Sequence, residues 1–463
     1  MLRKFGFSIL LVAVLVGSTA AIPGDVSAKL ETQPVASSGD AADDSCVWVH
    51  PSDSSKSLVI GTDKKHGLFV YDVAGKQIQD IADGNLNNVD MRYNFPLGGK
   101  KVALVTAGNR TDNTLTSYVV DEATRTLKSA GPRVKMGIVV YGSCMYRSPV
   151  TGDLYFIVNS KDGEVEQWRM FDDGSGKLAA AKARAWKLAS QTEGCVGDDH
   201  YGFVYVGEEA KGVWRFGGEP TDSTTGVMID KTGSGGHLTA DVEGLTIYTS
   251  VDGSGYLIAS SQGANEFAVY NRDNNQGFLS MFKIVTGNGI DGVSDCDGID
   301  VCNLPLGAGF PSGAFIAQDG TNDGGNQNYK LVPWESIAKT NSLKVDTICD
   351  PRQMGANSIL FHTTPLGECV ENSLININVK AGKANANARF AVLGSFELTS
   401  NAADLKNPSV LVVSRLDSAG QWISPKYLMP AGTKGLTVFG RVVTQDLLNG
   451  GVKRSDILPT RVH

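Results

Sequence analysis

The fold is decided by six short segments that recur along the chain about every 50 residues. They are SLVIGTDK (57–64), KVALVTAGNR (101–110), LYFIVNSK (154–161), FVYVGEE (203–209), YLIASSQG (256–263) and GAFIAQDG (313–320). Each is an apolar, β-branched or aromatic run that ends in small and polar residues, as a buried strand followed by a turn does. One strand of the same kind is therefore expected in every repeat.

Two further series recur in phase with these segments. A second apolar run follows each segment: GLFVYDV, TLTSYVVD, EVEQWRM, GVWRF, EFAVYNR and NYKLVPW. A third strand precedes each segment and is marked by Asp44, Asp90, Gly142, Glu193, Glu243 and Asp297. Repeats of this length with several short strands predict an all-β protein, a six-bladed β-propeller with about four strands per blade. A pair of β-sandwiches is the competing interpretation, but sandwiches do not produce three strand types that recur together.

Composition agrees with many short strands and limits the partners. Gly contributes 54 of the 463 residues without a collagen-like period, which indicates many tight turns. The net charge of −7 disfavours binding to nucleic acid or to an anionic lipid surface. An anionic ligand would need a cationic intermediary, and the many Asp residues suggest a divalent metal in that role.

The two ends of the chain differ from the repeats. Arg3 and Lys4 precede the apolar run 5–16 and the small residues 17–21, which is the pattern of a secretory signal peptide cleaved after Ala20, Ala21 or Ala28. We therefore expect a signal peptide and leader at 1–28, the propeller at 29–353, and a secreted or periplasmic protein without a stable membrane anchor. Residues 354–463 alternate strand-like runs with Gly, Pro and Asn turns, which predicts a β-rich, sandwich-like accessory domain of unknown role.

The repeats also predict where a functional site lies. Neighbouring strands in a blade are antiparallel, so the start of the marker strand lies beside the end of the next strand. Those ends carry Lys64, Arg110, Lys161, Glu209, Gln262 and Asp319. Both sets therefore surround one mouth of the central tunnel, where acids and bases would be concentrated.

The residue types at this mouth indicate a chemistry. Carboxylates without His or Cys neighbours are hard oxygen ligands, which suit Ca²⁺ better than zinc or copper. Lys64, Lys65, Arg110 and Lys161 on the same face indicate a multiply charged anion, and phosphate oxygens fit such cations well. Salt bridges that merely close the rim are the structural alternative for any one of these lysines.

Long motifs in register give the chain a specific resemblance. They include DAADDSCVW (40–48), KKHGLFVY (64–71), NNVDMRYNFPL (87–97), YGSCMY (141–146), QTEGCVGDDHYG (191–202), HLTADVEGLTIY (237–248), SDCDGIDV (294–301), AQDG (317–320) and VPWESIA (332–338). Over residues 35–353 the sequence resembles the β-propeller (alkaline) phytases. The resemblance implies a six-bladed, secreted, calcium-dependent 3-phytase-type phosphoric monoester hydrolase that acts on phytate (myo-inositol hexakisphosphate).

The resemblance also implies roles for individual residues. Catalytic calcium ions at the mouth would be held by Asp44, Glu193, Asp241, Glu243 and Asp297. The phosphoryl group being cleaved would be gripped by Lys64, Arg110, Tyr141 and Lys161, and an adjacent phosphate by Lys65 and Lys161. Asp291 and Asp319 match positions of structural calcium binding. Glu193 would orient the metal or the attacking water, and we expect in-line attack by a metal-activated water without a phosphoenzyme.

The residues leave two other functions open. The alternatives are a calcium-dependent propeller lactonase or phosphodiesterase, and a non-catalytic propeller that binds a polyanion. The Lys and Arg residues argue against a lactonase. The chain is expected to be monomeric, and of its seven cysteines Cys349 and Cys369 are the pair expected to form a disulfide.

Overall fold

The chain folds into a ring of six antiparallel sheets followed by a second β region. The computed structural model describes residues 24–355 apart from 274–275 and, between 360 and 462, chiefly the strands. The innermost strand of each sheet contacts that of the next, and the sixth contacts the first. The predicted six-bladed β-propeller is therefore confirmed.

The first three blades are built in chain order, each from its innermost strand outward. They follow two short strands, β1 (Gly24–Val26) and β2 (Leu30–Glu31). Their strands are β3 (Ala42–Trp48), β4 (Leu58–Asp63), β5 (Gly67–Asp72) and β6 (Gln77–Ala82); β7 (Leu86–Leu97), β8 (Lys100–Asn109), β9 (Thr114–Asp121), β10 (Thr126–Ser129) and β11 (Val134–Lys135); and β12 (Ser143–Arg147), β13 (Leu154–Asn159), β14 (Glu164–Asp172) and β15 (Leu178–Lys187). The recurring segments of the sequence thus form the second strands β4, β8 and β13.

The last three blades repeat this order, and the N-terminal strands complete them. Their strands are β16 (Thr192–Asp198), β17 (Phe203–Glu208), β18 (Gly212–Gly217) and β19 (Val227–Lys231); β20 (Val242–Thr249), β21 (Gly255–Ser261), β22 (Glu266–Asn271) and β23 (Phe278–Ile284); and β24 (Ile299–Cys302), β25 (Ala314–Asp319) and β26 (Asn328–Pro333). Blade six has three strands of its own, and β2 is its fourth, antiparallel to β26. β1 extends blade five, parallel to β23.

This closure moves one expected boundary. Because β1 pairs with β23 and Ala28 is buried, residues 24–28, which were expected to belong to the leader, are part of the propeller. Cleavage after Ala28 would remove a paired strand, whereas cleavage after Ala20 or Ala21 would leave the whole ring intact.

The apolar core lies between the blades. Six clusters of buried side chains each join one blade to the next, including a cluster that joins blade six to blade one. The helix α1 (Trp334–Asn341) follows β26 and packs on blades five and six, where Trp334 stacks on Tyr248 with ring centroids 4.0 Å apart. Short 3₁₀ turns span Ser54–Lys56, Gln262–Ala264 and Pro351–Gln353.

Buried aspartates connect the innermost strands around the tunnel. The carboxylates of Asp44, Asp90 and Asp300 each accept a backbone N–H from the innermost strand of the next blade. The donors are Val89, Met145 and Val47, at 3.3, 2.8 and 3.1 Å. Since the innermost strands of different blades share no sheet, these bonds satisfy backbone groups that would otherwise be unpaired in the tunnel wall.

The C-terminal region is a two-sheet structure, as predicted. Its strands are β27 (Leu360–Thr364), β28 (Glu368–Cys369), β29 (Leu374–Lys380), β30 (Arg389–Ser395), β31 (Ser409–Arg415), β32 (Gln421–Ile423), β33 (Tyr427–Leu428), β34 (Thr437–Gln445), β35 (Val452–Arg454) and β36 (Leu458–Val462). One sheet contains β27, β29 and β32, and the other contains β28, β36, β34, β30 and β31. Val379 of the first sheet shares one apolar cluster with Phe390 and Val442 of the second.

The expected Cys349–Cys369 disulfide is not formed. Cys349 is a free thiol that lines the tunnel, and its carbonyl accepts a hydrogen bond from Asn303 Nδ2 at 2.6 Å. The segment around Cys349 is therefore held against the propeller, where Cys349 lines the tunnel. Among the described residues, no helix is long and apolar enough to cross a membrane.

Candidate active site at the upper mouth of the tunnel

We call the end of the tunnel where the innermost strands begin the upper mouth, and the opposite end the lower mouth. Four innermost strands begin with a register shift, between 42 and 45, 86 and 89, 192 and 195, and 242 and 245. A bulge of this kind redirects a side chain and often lies beside an active site. At the upper-mouth ends of these strands the bulges contain Asp43, Asn87, Glu193 and Glu243, all of them buried.

Glycines after the acids allow the innermost strands to approach each other closely. A Cβ atom on Gly194 would lie 2.0 Å from the carbonyl oxygen of Glu243, and one on Gly298 would lie 2.4 Å from the Cα atom of Asp44. Only glycine fits such contacts with backbone. This explains the Glu193-Gly194 and Asp297-Gly298 pairs and keeps acids of neighbouring blades near one another.

Three glutamates form the centre of the site. Oxygen atoms of Glu193, Glu209 and Glu243 all lie within 4.8 Å of one another, and all three residues are buried. Burial raises the pKa of all three carboxyl groups, and Glu193 and Glu209 raise that of Glu243 further. Oε1 of Glu209 and Oε2 of Glu243 have no hydrogen-bond partner. Unpartnered buried carboxylate oxygens are rare in proteins, and this donor set fits an oxygen-coordinated cation such as Ca²⁺.

Lys64 lies among aspartates on the other side of the site. Its Nζ is 2.6 Å from Asp40, 2.7 Å from Asp297 and 3.4 Å from Asp43. Burial alone would lower the pKa of Lys64, but Asp43 and Asp297 raise it, so the lysine is charged. Burial raises the pKa of both Asp43 and Asp297 to about 7, although Lys64 opposes that shift. One lysine thus leaves part of this negative charge uncompensated, and neither oxygen of Asp43 has a hydrogen-bond partner.

Tyr141 brings two predicted phosphate-binding residues together. Lys161 Nζ lies 4.3 Å from the centroid of the Tyr141 ring, and the Arg110 guanidinium carbon lies 5.1 Å from it. The Tyr141 hydroxyl interacts with Glu193, and burial together with that carboxylate raises the pKa of the phenol. The hydroxyl therefore stays protonated and can donate a hydrogen bond beside the acidic cluster.

One cavity of about 630 Å³ joins half of the predicted residues. Its walls include Lys64, Tyr141, Glu193, Asp241, Glu243 and Asp297. Arg110 and Lys161 lie beside it on the Tyr141 ring, and two other predicted residues lie away from it. The exposed Lys65 donates to the carbonyl of Ser38 at 2.7 Å, and Asp44 lines a separate cavity of about 180 Å³ inside the tunnel. The bulge explains the second difference, because it turns Asp43 toward Lys64 and Asp44 toward Val89.

Asp291 and Asp319 form a different arrangement. Both bind the ammonium group of Lys330, whose side chain is fully buried. The second oxygen of Asp291 accepts the N–H of Asp323 at 2.9 Å, and that of Asp319 accepts the N–H of Ser294 at 3.0 Å. The pair thus offers no unpartnered oxygen to a metal, and structural calcium at this place stays a prediction.

Sequence reasoning placed Glu209 and Gln262 at this mouth without giving them a role, and it missed Asp43. Gln262 Nε2 donates to Asp297 Oδ1 at 2.6 Å. Glu209 and Gln262 occupy the strand end at which other blades carry Lys64 and Lys161, and that equivalence was the available signal. No comparable signal distinguished Asp43 from Asp44, since the choice between adjacent residues depends on the bulge.

Comparison with known proteins agrees with this geometry. The family model described as phytase matches residues 8–357. The chain is also 47% identical over 324 residues to a 3-phytase of Bacillus subtilis (strain 168), a match that covers 68% of this chain and 85% of that protein. The matched region contains the whole propeller and every residue of the upper mouth. The chain therefore belongs to the phytase family.

Proposed function

We propose that this protein is an exported, calcium-dependent phytase that removes phosphate from phytate at the upper mouth. One observation carries the proposal: unpartnered buried carboxylates and three cationic side chains meet at a single opening. Acids alone would suit a cation and bases alone an anion, but phytate with calcium needs both. Membership of the family and the 3-phytase relative support hydrolysis of a phosphomonoester of this substrate.

The acids are the part of the site that would hold calcium. Glu193, Glu209 and Glu243 offer oxygens on one side, and Asp43 and Asp297 offer them on the other. Asp241 is exposed and lines the same cavity, so it can complete a coordination shell at the surface. When bound, calcium neutralises phosphate charge, polarises phosphorus and lowers the pKa of a bound water.

The cationic side chains would bind the phosphoryl group and stabilise its charge. Arg110 and Lys161 lie on the Tyr141 ring, which limits their freedom and keeps both near Glu193. Preorganised donors of this kind stabilise charge on the equatorial oxygens during in-line displacement. Lys64, which stays charged, would add a further contact at the Asp297 side. The Tyr141 hydroxyl would donate to a substrate oxygen or orient Glu193.

The cations also distinguish the alternatives. A lactone carries no charge that would require Arg110 and Lys161, so a lactonase leaves them unexplained. A propeller that only binds a polyanion explains the cations but not the three clustered glutamates, because these would repel that ligand without metal.

A substrate panel tests the proposal directly. Purified protein is incubated in calcium with phytate, a chromogenic phosphodiester and a lactone, and release of phosphate from phytate, release of the alcohol from the diester and opening of the lactone are measured. We expect phosphate from phytate and no turnover of the other two. Calcium-dependent binding of phytate without phosphate release would support the binding protein instead.

A further inference from the structure

Asn87 is a buried residue that connects two parts of the upper mouth. It lies in the bulge of β7, at the position where other blades carry Asp43, Glu193 and Glu243, and its side chain is fully buried. Its Nδ2 donates to Glu193 Oε1 at 2.5 Å, and its Oδ1 accepts from Arg110 Nη1 at 3.2 Å. One amide therefore joins a predicted calcium ligand to a predicted phosphate-binding residue.

The surroundings fix the orientation of this amide. The second hydrogen of Nδ2 is directed to Asn88 Oδ1 at 3.2 Å, and that oxygen also accepts the N–H of Ser143 at 3.3 Å. Rotating the amide by 180° would place Oδ1 against the Glu193 carboxylate and Nδ2 against the Arg110 guanidinium. Both contacts would be repulsive, so only the observed orientation satisfies all partners.

An amide suits this position better than other side chains of similar size do. Asp would accept from Arg110 but repel Glu193, and Leu would fill the volume but leave both partners without a contact. An acid here would also add to a cluster that already lacks compensating charge. This explains why blade two carries an amide where blades one, four and five carry acids.

We propose that Asn87 is a positioning residue that holds the Arg110 guanidinium and the Glu193 carboxylate at a fixed separation. A phosphate bound by Arg110 and a calcium ion bound by Glu193 would then lie at a fixed distance from each other. This inference rests on the proposed phytase function. Asn87 acts through its two partners and is not assigned a contact with substrate. Its loss is expected to change both steps, because a misplaced reacting group lowers the rate by about tenfold to a hundredfold.

Two substitutions separate the two halves of this role. Asn87→Leu removes both contacts, and we expect kcat to fall by about tenfold to a hundredfold with a rise in KM. Asn87→Asp keeps the acceptor for Arg110 and loses the donor to Glu193, so kcat should fall with little change in KM. Asn303→Leu is the matched control, since Asn303 is also buried but donates to the Cys349 carbonyl at the lower mouth. It should leave both constants unchanged.

A double-mutant cycle and a binding measurement exclude a merely structural role. If Asn87 acts through Arg110, Asn87→Leu combined with Arg110→Lys should lose less activity than the product of the single effects. Calorimetry with calcium alone should show weaker binding to Asn87→Leu than to the wild type and Asn303→Leu.

Three results would count against a positioning role of Asn87 or against the proposed function. Wild-type kcat, KM and calcium affinity in Asn87→Asp would overturn the inference. It would also be overturned if the activity loss of the double variant equalled the product of the losses of Asn87→Leu and Arg110→Lys. If Asn87→Leu does not fold, Asn87→Asp decides, because it preserves the shape of the side chain. If the wild type released no phosphate from phytate, the proposed function would fail, and calcium calorimetry on the same variants would still decide the contact with Glu193.

Discussion

The two mouths of the tunnel both bury many charged groups, but they balance them differently. At the lower mouth Arg92 lies 2.7 Å from both Asp90 and Asp199, and Arg272 lies 2.7 Å from Asp198, while Arg147 donates to backbone carbonyls. At the upper mouth the acids outnumber the cations, and oxygens of Asp43, Glu209 and Glu243 have no hydrogen-bond partner.

The pKa shifts of two aspartates, one from each mouth, express this difference. Burial would raise the pKa of Asp198, but Arg272 and local N–H donors hold it below its usual value. Burial raises the pKa of Asp43 to about 7, because Lys64 compensates only part of its charge. Burial of charge alone therefore does not identify a site. Uncompensated charge at an opening does, since the protein maintains it at the expense of its own stability.

The largest expected effect is on activity at the upper mouth. Glu193→Gln removes the central carboxylate of the acidic cluster and keeps its volume, so phosphate release from phytate should fall by about a hundredfold or more. The variant should fold normally, as judged by circular dichroism. Wild-type turnover with unchanged calcium affinity would contradict the role of Glu193.

The same change at the lower mouth should affect stability instead. Asp198→Asn leaves the buried Arg272 without its carboxylate, and breaking a buried pair costs about 3–5 kcal/mol of unfolding free energy. Denaturant unfolding measures this loss, while kcat per folded molecule should stay at the wild-type value. A variant that is stable but inactive would show that the two mouths do not divide function and stability as described.

A smaller effect is expected when calcium is removed and the pH is changed. Asp43 and Asp297 titrate near pH 7 in the folded protein, whereas an unfolded Asp titrates near 3.8. Between these values the folded state binds protons that the unfolded state has released, so the free energy of unfolding falls as the pH rises from about 4 to about 7.

Thermal denaturation tests this sign. In chelator, the melting temperature should fall between pH 5 and pH 8, and saturating calcium should remove much of that fall because calcium binds the ionised form. Asp43→Asn should show a shallower fall in chelator. An equally steep fall in this variant would remove Asp43 from the explanation.

The smallest effect is expected from deleting the C-terminal β region. Gly355 connects this region to the propeller, because its carbonyl accepts from Lys101 Nζ at 2.8 Å and its N–H donates to Asp456 at 3.0 Å. A chain that ends at Gly355 keeps every residue of the upper mouth. We expect wild-type kcat on phytate with a modestly lower melting temperature, and a folded but inactive truncation would mean that the C-terminal region contributes to the site.

The sequence predicted the propeller well because its strands recur in phase, and periodicity survives local variation. It also placed Glu193, Glu243 and Asp297 at one mouth, because antiparallel pairing determines which strand ends meet. It could not separate Asp43 from Asp44 or reveal Asn87, since a bulge changes side-chain direction within one residue. The Cys349–Cys369 pair was wrong because spacing gives no information on which way a thiol faces.

We expect hydrolysis of phytate to require calcium, because the acids of the upper mouth are not compensated by the protein's own cations. The test is phosphate release from phytate while calcium is titrated into metal-free wild-type protein. No release is expected in excess chelator, and full recovery is expected as calcium is restored. Undiminished release in excess chelator, with metal removal verified by elemental analysis, would contradict this requirement.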